Sequence, residues 1–394
     1  MSDFQPSKAV KSLPNQYFSS LTATIADLKS RYDDVIDLAV GTPDLPAPKA
    51  LKEALRSAID KPQYDRYGPY RGEALLKEAV ARFYQSQFGV TVDPQTEVAL
   101  FHGSKEAIMK VSQVLVNQGE GILLPNPTYP DYLSAVGLTQ AETIFMDLLE
   151  ENNYLVDFNQ LSQVDLDRAR LMYLNYPNNP TGALANPSFF EDVVAVAKNN
   201  DIFVVHDFAY APYVFDQAKP LSFLQTPEVK EVGIELFSLS KLYNIPGWRV
   251  GFAVGNAQVV GYLNSLQDHT TVGMYGAIQE AVATLLVEED QSFIGKMKTT
   301  YQARRDAVIC IFDQAGIEVE PSKGTIYQWM QTPSGLDAET FAHVLAEEAH
   351  VAVAPGNGFG TAGQGYIRIG LIADTAILQE AASRIARVYK QFNN

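Results

Sequence analysis

Between residues 120 and 255 the chain alternates short, unbroken apolar runs with amphipathic stretches of helical spacing. The runs occupy 122–124, 143–146, 171–174, 202–205, 236–239 and 250–254. Apolar runs of this length without polar alternation predict strands covered on both faces, as in a largely parallel sheet. Between them, Phe189, Val193, Val194, Val196 and Ala197 follow the helix-start pair Asn186-Pro187 with helical spacing. Upstream, Leu51, Ala54, Leu55 and Ala58 form one helical stripe, and Leu76, Val80 and Phe83 form another. After about residue 290 a long helical pattern leads into shorter strands at 325–330, 351–354 and 366–370, then a last helix from about Ala376. The pattern predicts an α/β protein with a large domain over 45–290 and a small domain built from 1–44 and 291–394.

The 394 residues are enough to bury a large core, and 46% hydrophobic with 19% charged residues is globular rather than disordered composition. A formal net charge of -16 makes the long-range field repel polyanions, so neither nucleic acid nor anionic membrane is an expected partner. The N-terminal MSDFQPSKAVKSLPNQYF lacks the apolar core of a secretory signal, and no apolar run approaches a membrane span. The single cysteine, Cys310, excludes an internal disulfide and suits a reducing compartment. The expected location is the cytoplasm.

Chemistry-bearing residues cluster where strand-like runs end, which is where open α/β sheets present ligand-binding groups. SLSKLYNIPGWRVGF, residues 238–252, places Ser238, Ser240, Lys241 and Arg249 in one short segment. A lysine amine can hold an aldehyde cofactor as a Schiff base, and an arginine with serine hydroxyls can grip a phosphate dianion. Such a set points to pyridoxal 5'-phosphate. VVHDFAY places Asp207 and Tyr210 after the run at 202–205. An aspartate beside a pyridine nitrogen keeps it protonated, and a tyrosine can donate to the cofactor's phenolic oxygen; a helix-capping aspartate with a core tyrosine is the plainer alternative. In HGSKEAI a strand gives way to a helix, so Gly103, Ser104 and Lys105 form a phosphate cup, or an ordinary cap. YIRIGL puts Arg368 in an otherwise apolar strand, where it needs either an internal carboxylate or the α-carboxylate of a substrate.

The strings SLSKLYNIPGWRVGF, NYPNNPTG and VVHDFAY, in this chain order, resemble the class I/II aminotransferases, the fold-type I pyridoxal-phosphate enzymes. Within them the wording is nearest the branch holding diaminopimelate, alanine and aspartate aminotransferases. The resemblance runs from Gly41 to Arg368 and implies a large domain whose mostly parallel sheet is sandwiched by helices. It implies that Lys241 carries the cofactor and shuttles the proton between Cα and C4′, and that Asn179 contacts the phenolic oxygen. By the same resemblance Tyr129 of NPTYP stacks on the pyridine ring, Arg368 takes the substrate carboxylate, and the backbone of Gly41 approaches that carboxylate. Tyr67 of RYGPYRG matches the tyrosine that reaches the neighbouring subunit's phosphate, so a homodimer with shared sites is implied. The expected substrates are an L-amino acid and a 2-oxo acid, exchanged by a ping-pong mechanism.

Other patterns carry less. PGNGFGTAG precedes a strand where a dinucleotide fingerprint needs a helix. The five histidines show no metal-ligand spacing, so no metal is expected, and His206 reads as structural or as a group behind the site. Residues 269–275, HTTVGMY, lie where some aspartate aminotransferases carry an arginine for a distal carboxylate, and none occurs here. That departure speaks against strict dicarboxylate specificity, while Tyr17 and Phe18 either cover the site and select an aromatic or aliphatic side chain or simply pack in the core. A cystathionine- or cysteine-type C–S β-lyase uses the same cofactor and lysine and is the alternative activity.

Overall fold

Continuous apolar runs become strands because each has a helical layer on both sides. The computed structural model describes residues 4–288 and 292–392. After a two-residue strand β1 (Ile36–Asp37), the central strands are β2 (Val98–Phe101), β3 (Gly121–Asn126), β4 (Glu142–Asp147), β5 (Ala169–Leu174), β6 (Phe203–Asp207), β7 (Gly233–Ser238) and β8 (Gly251–Gly255). They form one sheet in the order β2-β8-β7-β6-β5-β3-β4. The pairings from β4 through β3, β5 and β6 to β7 are parallel, whereas β8 runs antiparallel to both β7 and β2. The run at 236–239 is therefore shifted: β7 begins at Gly233, and Leu239 already opens a helix.

Side chains alternate between the two faces. Leu123, Met172, Val204 and Phe252 join a core with the helices Ala74–Phe88, Pro187–Asn199 and Gly276–Val287. Ile122, Leu171, Val205 and Ala253 join another with Ser104–Leu115, Asp131–Thr139 and Ala257–Thr270. Helix starts follow local chemistry: the Asn186 side chain accepts the Phe189 N–H at 2.9 Å, and Pro187 occupies the first turn where no N–H is needed.

The C-terminal third contributes β9 (Tyr327–Gln331), β10 (Val351–Ala352), β11 (Ala354–Pro355) and β12 (Tyr366–Gly370), with the helices Ser292–Gln314, Ala338–Ala349 and Thr375–Phe392. The single strand expected at 351–354 is two: β10 pairs with β1, while β11 joins β12 and β9 in a three-stranded sheet. The N-terminal helix Tyr17–Arg31 packs against Trp329, Ala352 and Phe359, so both chain ends build this region. Asp44 ties the N-terminal segment to the helix Ser292–Gln314, accepting from Arg304 at 2.7 and 2.8 Å. The expected domain boundary between residues 290 and 291 lies outside the described residues. His206 is enclosed, its Nδ1 2.9 Å from Glu235 Oε2, in a cluster that also receives the Tyr84 and Ser222 hydroxyls.

Candidate active site

The C-terminal ends of β5, β6 and β7 lie side by side and deliver Asn175, Asp207 and Ser238 to one edge of the sheet. Asn175 braces this edge. Its amide donates to the Asp207 carbonyl at 2.7 Å, and its side-chain oxygen accepts the Asn179 N–H at 2.8 Å. The Asp207 carboxylate accepts the Tyr132 hydroxyl at 3.0 Å and the Ala209 N–H at 3.2 Å. Burial raises its pKa above the ordinary aspartate value, so a cationic partner would stabilise its charged form.

Lys241 sits in the short helix Leu239–Leu242 that follows β7. Its Nζ donates to the Gly41 carbonyl at 3.1 Å and lies 5.7 Å from the centre of the Tyr210 ring. Burial lowers the lysine pKa; Arg368 and Arg249 push it the same way, while Tyr327 and Asp207 oppose them. A larger fraction of neutral amine at a given pH is what a proton acceptor requires. The Tyr210 hydroxyl stands 2.9 Å from that of Tyr327. Lys241, Asp207, Tyr210, Asn179, Tyr129, Gly41 and Arg368 all line a cavity of about 230 Å³.

An open chamber of about 710 Å³ adjoins it, lined by Ser104, Ser238, Ser240 and Arg249. The three serine hydroxyls hydrogen-bond no other described residue, and the first-turn N–H groups of the helix Ser104–Leu115 face the same corner. Gly103 is needed there: its φ is +85°, and a Cβ would come within 2.3 Å of the Arg249 guanidinium. Arg249 is held by the Pro246 and His102 carbonyls at 3.0 and 3.3 Å. Lys105 is placed differently from its neighbours. Its ammonium pairs with Asp131 at 2.8 Å, leaving its backbone N–H for the cup.

Three arginines are buried among the described residues. Arg304 pairs with Asp44, and Arg305 pairs with Asp216 and Asp306. Arg368, 1% exposed, has no carboxylate partner among the described residues. It donates to Asn179 Oδ1 and to the Ala39 carbonyl, both at 2.9 Å, and its Nε has no partner. Leaving a guanidinium buried against neutral groups is costly, and an incoming carboxylate removes that cost. The internal ion pair considered for Arg368 is thus not formed.

Phe18, on the helix Tyr17–Arg31, covers the cavity, 5.6 Å from the Arg368 guanidinium carbon and 6.1 Å from the Tyr129 ring. Tyr17 anchors that helix through its hydroxyl to the Pro355 carbonyl at 2.8 Å. Tyr67 belongs to neither chamber lining and is 90% exposed.

Three positions that support the site carried no recognised signal. Tyr132 supports Asp207, Tyr327 lies under Arg368, and Asp131 gathers Lys105, the Tyr129 hydroxyl at 2.5 Å and the Gln16 amide at 3.2 Å. The spacing Tyr129-Pro-Asp131-Tyr132 at a helix start was the available clue for two of them. The donor set fits pyridoxal phosphate: a phosphate corner with free hydroxyls and a cation, an aspartate for the ring nitrogen, a tyrosine for the ring and a lysine with no acidic partner among the described residues.

The family model for aminotransferase class I and II matches residues 33–385. The chain is 44% identical over 385 residues to L-glutamine--4-(methylsulfanyl)-2-oxobutanoate aminotransferase of Bacillus subtilis, covering 98% of this chain and 96% of that protein. It is 38% identical over 390 residues to an LL-diaminopimelate aminotransferase of Nitratidesulfovibrio vulgaris, covering 98% and 100%. The substrate-bound structure of BacF from Bacillus subtilis superposes with a TM-score of 0.93 at 42% identity over 98% of each chain.

Proposed function

The chain belongs to the class I and II aminotransferases and is a pyridoxal-phosphate-dependent enzyme that moves an amino group from an amino acid to a 2-oxo acid; on that premise we propose how its residues divide the work. Bound pyridoxal phosphate supplies a ring that withdraws electrons from the substrate's Cα. Arg249, Ser104, Ser238, Ser240 and the N–H groups after Gly103 hold the phosphate, Asp207 holds the ring nitrogen, and Tyr129 covers the ring. Tyr210 and Asn179 serve the phenolic oxygen. Arg368 takes the α-carboxylate, and Lys241, its pKa lowered by burial, carries the Cα proton.

The observation that carries this reading is the buried Arg368 without a carboxylate partner among the described residues, in the same cavity as Lys241. We assign the substrate side chain to the part of the cavity covered by Phe18, whose apolar ring favours uncharged aromatic, aliphatic or amide groups. Lys105 is already engaged by Asp131, and residues 269–275 hold no arginine for a distal carboxylate. The Bacillus relative is named for glutamine and a methylsulfanyl oxo acid, both with uncharged side chains. The proposed assembly is a homodimer in which exposed Tyr67 completes the partner's phosphate site, and the proposed compartment is the cytoplasm, in keeping with a single free cysteine.

The test is the cofactor spectrum through one half-reaction with glutamine, methionine, phenylalanine, alanine, glutamate, aspartate, diaminopimelate and cystathionine. Neutral donors are expected to give pyridoxamine phosphate most efficiently, and Arg368→Ala to weaken every amino acid while sparing cofactor loading. Unchanged kcat/KM in Arg368→Ala would remove the carboxylate assignment. Steady pyruvate and ammonia from cystathionine, without pyridoxamine phosphate from any donor, would overturn the roles proposed for these residues.

A further inference from the structure

Tyr327 enters the site from β9 with its side chain buried, and it meets Arg368, Tyr210 and Gly41 there. Its ring faces Arg368, whose guanidinium carbon stands over it at 3.9 Å from the ring centre. Its hydroxyl is 2.9 Å from that of Tyr210 and 3.4 Å from the Gly41 carbonyl, which also receives Lys241 at 3.1 Å. The fit is close enough to dictate the residue opposite: a Cβ on Gly41 would come within 1.8 Å of the Tyr327 hydroxyl.

A tyrosine hydroxyl has one proton to give. Of the two acceptors in reach, the Tyr210 oxygen at 2.9 Å is within normal hydrogen-bond range and the Gly41 carbonyl at 3.4 Å is at its limit. When Tyr327 donates to Tyr210, the Tyr210 proton is released from Tyr327 and free to point into the cavity. The ring does a second task. Arg368 is fixed in its own plane by Asn179 and Ala39, and tilting out of that plane is opposed by Tyr327 on one contact and Phe359, at 4.7 Å, on another.

We propose that Tyr327 is a positioning residue with two separable functions: its ring sets the plane of the carboxylate-binding Arg368, and its hydroxyl sets the direction in which Tyr210 donates. The proposal rests on the roles given above to Arg368 and Tyr210, and it explains why a polar tyrosine occupies an otherwise packed strand position.

The two functions come apart in two variants. Tyr327→Phe keeps the ring and removes the hydroxyl, whereas Tyr327→Leu removes both. Affinity for an unreactive monocarboxylate without an amino group, such as 3-phenylpropanoate or 4-methylpentanoate, should stay within about twofold of wild type in Tyr327→Phe. It should weaken roughly 3- to 30-fold in Tyr327→Leu, the range of a desolvated cation–π contact. In Tyr327→Phe the pH midpoint of the bound cofactor's absorbance should rise by roughly half to one unit. A weaker hydrogen bond to the phenolic oxygen stabilises its anionic form less, and a neutral hydrogen bond corresponds to a shift of about that size. In a Tyr210→Phe background the Tyr327→Phe change should add no further midpoint shift, because its effect passes through the Tyr210 hydroxyl.

Additive midpoint shifts in that double variant overturn the hydroxyl function. Equal carboxylate affinity in Tyr327→Phe and Tyr327→Leu overturns the ring function. Arg368→Ala and Tyr210→Phe measured alone separate this inference from the reading beneath it. If Arg368→Ala leaves carboxylate affinity unchanged, the underlying assignment fails, whereas loss in Arg368→Ala with none in Tyr327→Leu rejects only the role of Tyr327.

Discussion

Asp44→Asn tests how far the site depends on an ion pair outside it. Arg304 is 2% exposed and Asp44 28%, and the two form a fork at 2.7 and 2.8 Å reinforced by the Tyr301 hydroxyl at 2.9 Å. Removing the anion of a fully buried pair costs about 3–5 kcal/mol. Here the loss is smaller, because Asp44 is partly solvated, the asparagine oxygen still accepts, and the Leu371 carbonyl and Asp374 remain at 3.1 and 3.8 Å. About 1–3 kcal/mol follows. Urea unfolding at neutral pH should show it as a lower midpoint with an unchanged slope. The pH dependence has a definite sign. Burial alone would raise the Asp44 pKa, but the Arg304 and Tyr301 hydrogen bonds hold it below the ordinary aspartate value of 3.8. Its stabilisation is therefore fully present above about 3.8, falls below that as the unfolded chain takes up the proton, and is gone once pH has fallen through the lower folded value, so the gap to the variant should already shrink below pH 3.8. The same segment carries the Ala39 carbonyl on Arg368 and the Gly41 carbonyl on Lys241. Loosening it should lower kcat/KM roughly three- to tenfold. A stability change under about 0.5 kcal/mol, or a gap that persists unchanged to pH 3, would refute the reasoning.

Lys241→Ala should abolish turnover while still binding pyridoxal phosphate noncovalently, and borohydride reduction of the wild type followed by peptide mapping should label Lys241; another labelled lysine rejects the assignment. Gly103→Ala puts a Cβ against Arg249 at a φ of +85°, so cofactor affinity should fall roughly tenfold while affinity for an unreactive carboxylate is spared; unchanged cofactor affinity counts against the phosphate corner. Tyr67→Phe should weaken cofactor retention, and mixing it with Lys241→Ala subunits should restore activity through heterodimers with one site free of lesions. Verified heterodimers without recovery would argue for sites contained within one subunit.

The central strands were legible because burial on both faces leaves an apolar run that no exposed segment would carry. Their directions were not: nothing in the run at 250–254 distinguishes β8, which is antiparallel to both neighbours, from the parallel strands beside it. At 351–354 one apolar run changes partner midway, from β1 to β12, and hydrophobicity does not record a change of partner. Site residues at strand ends next to turn signals, such as Asp207 and Lys241, stood out locally. Tyr327 did not, because it sits inside a strand and looks like core until Arg368 is brought over it from 41 residues away. The Ala39 carbonyl has no side-chain signal at all.

The cofactor end and the carboxylate end of the site draw on different stretches of chain. The residues proposed for phosphate and ring come from 103–249, all on the central sheet and its connections, apart from the partner's proposed Tyr67. Arg368 instead depends on Ala39 from the N-terminal segment, Asn179 from the sheet edge, and Tyr327 from β9. Lys241 joins the two sets through the Gly41 carbonyl, 200 residues away in sequence. On the proposed roles, holding the cofactor draws on the sheet and its connections, whereas holding the amino acid also draws on the N-terminal segment and β9. A lesion in the N-terminal segment should leave a coloured, cofactor-loaded protein that has lost its grip on the substrate, while a lesion in the phosphate corner, such as Gly103→Ala, should lose the cofactor first. The burial of Arg368 against neutral groups gives this arrangement its chemical purpose. The carboxylate it lacks among the described residues is one that every amino acid and every 2-oxo acid brings, so in the role proposed for it the same guanidinium serves both halves of the exchange.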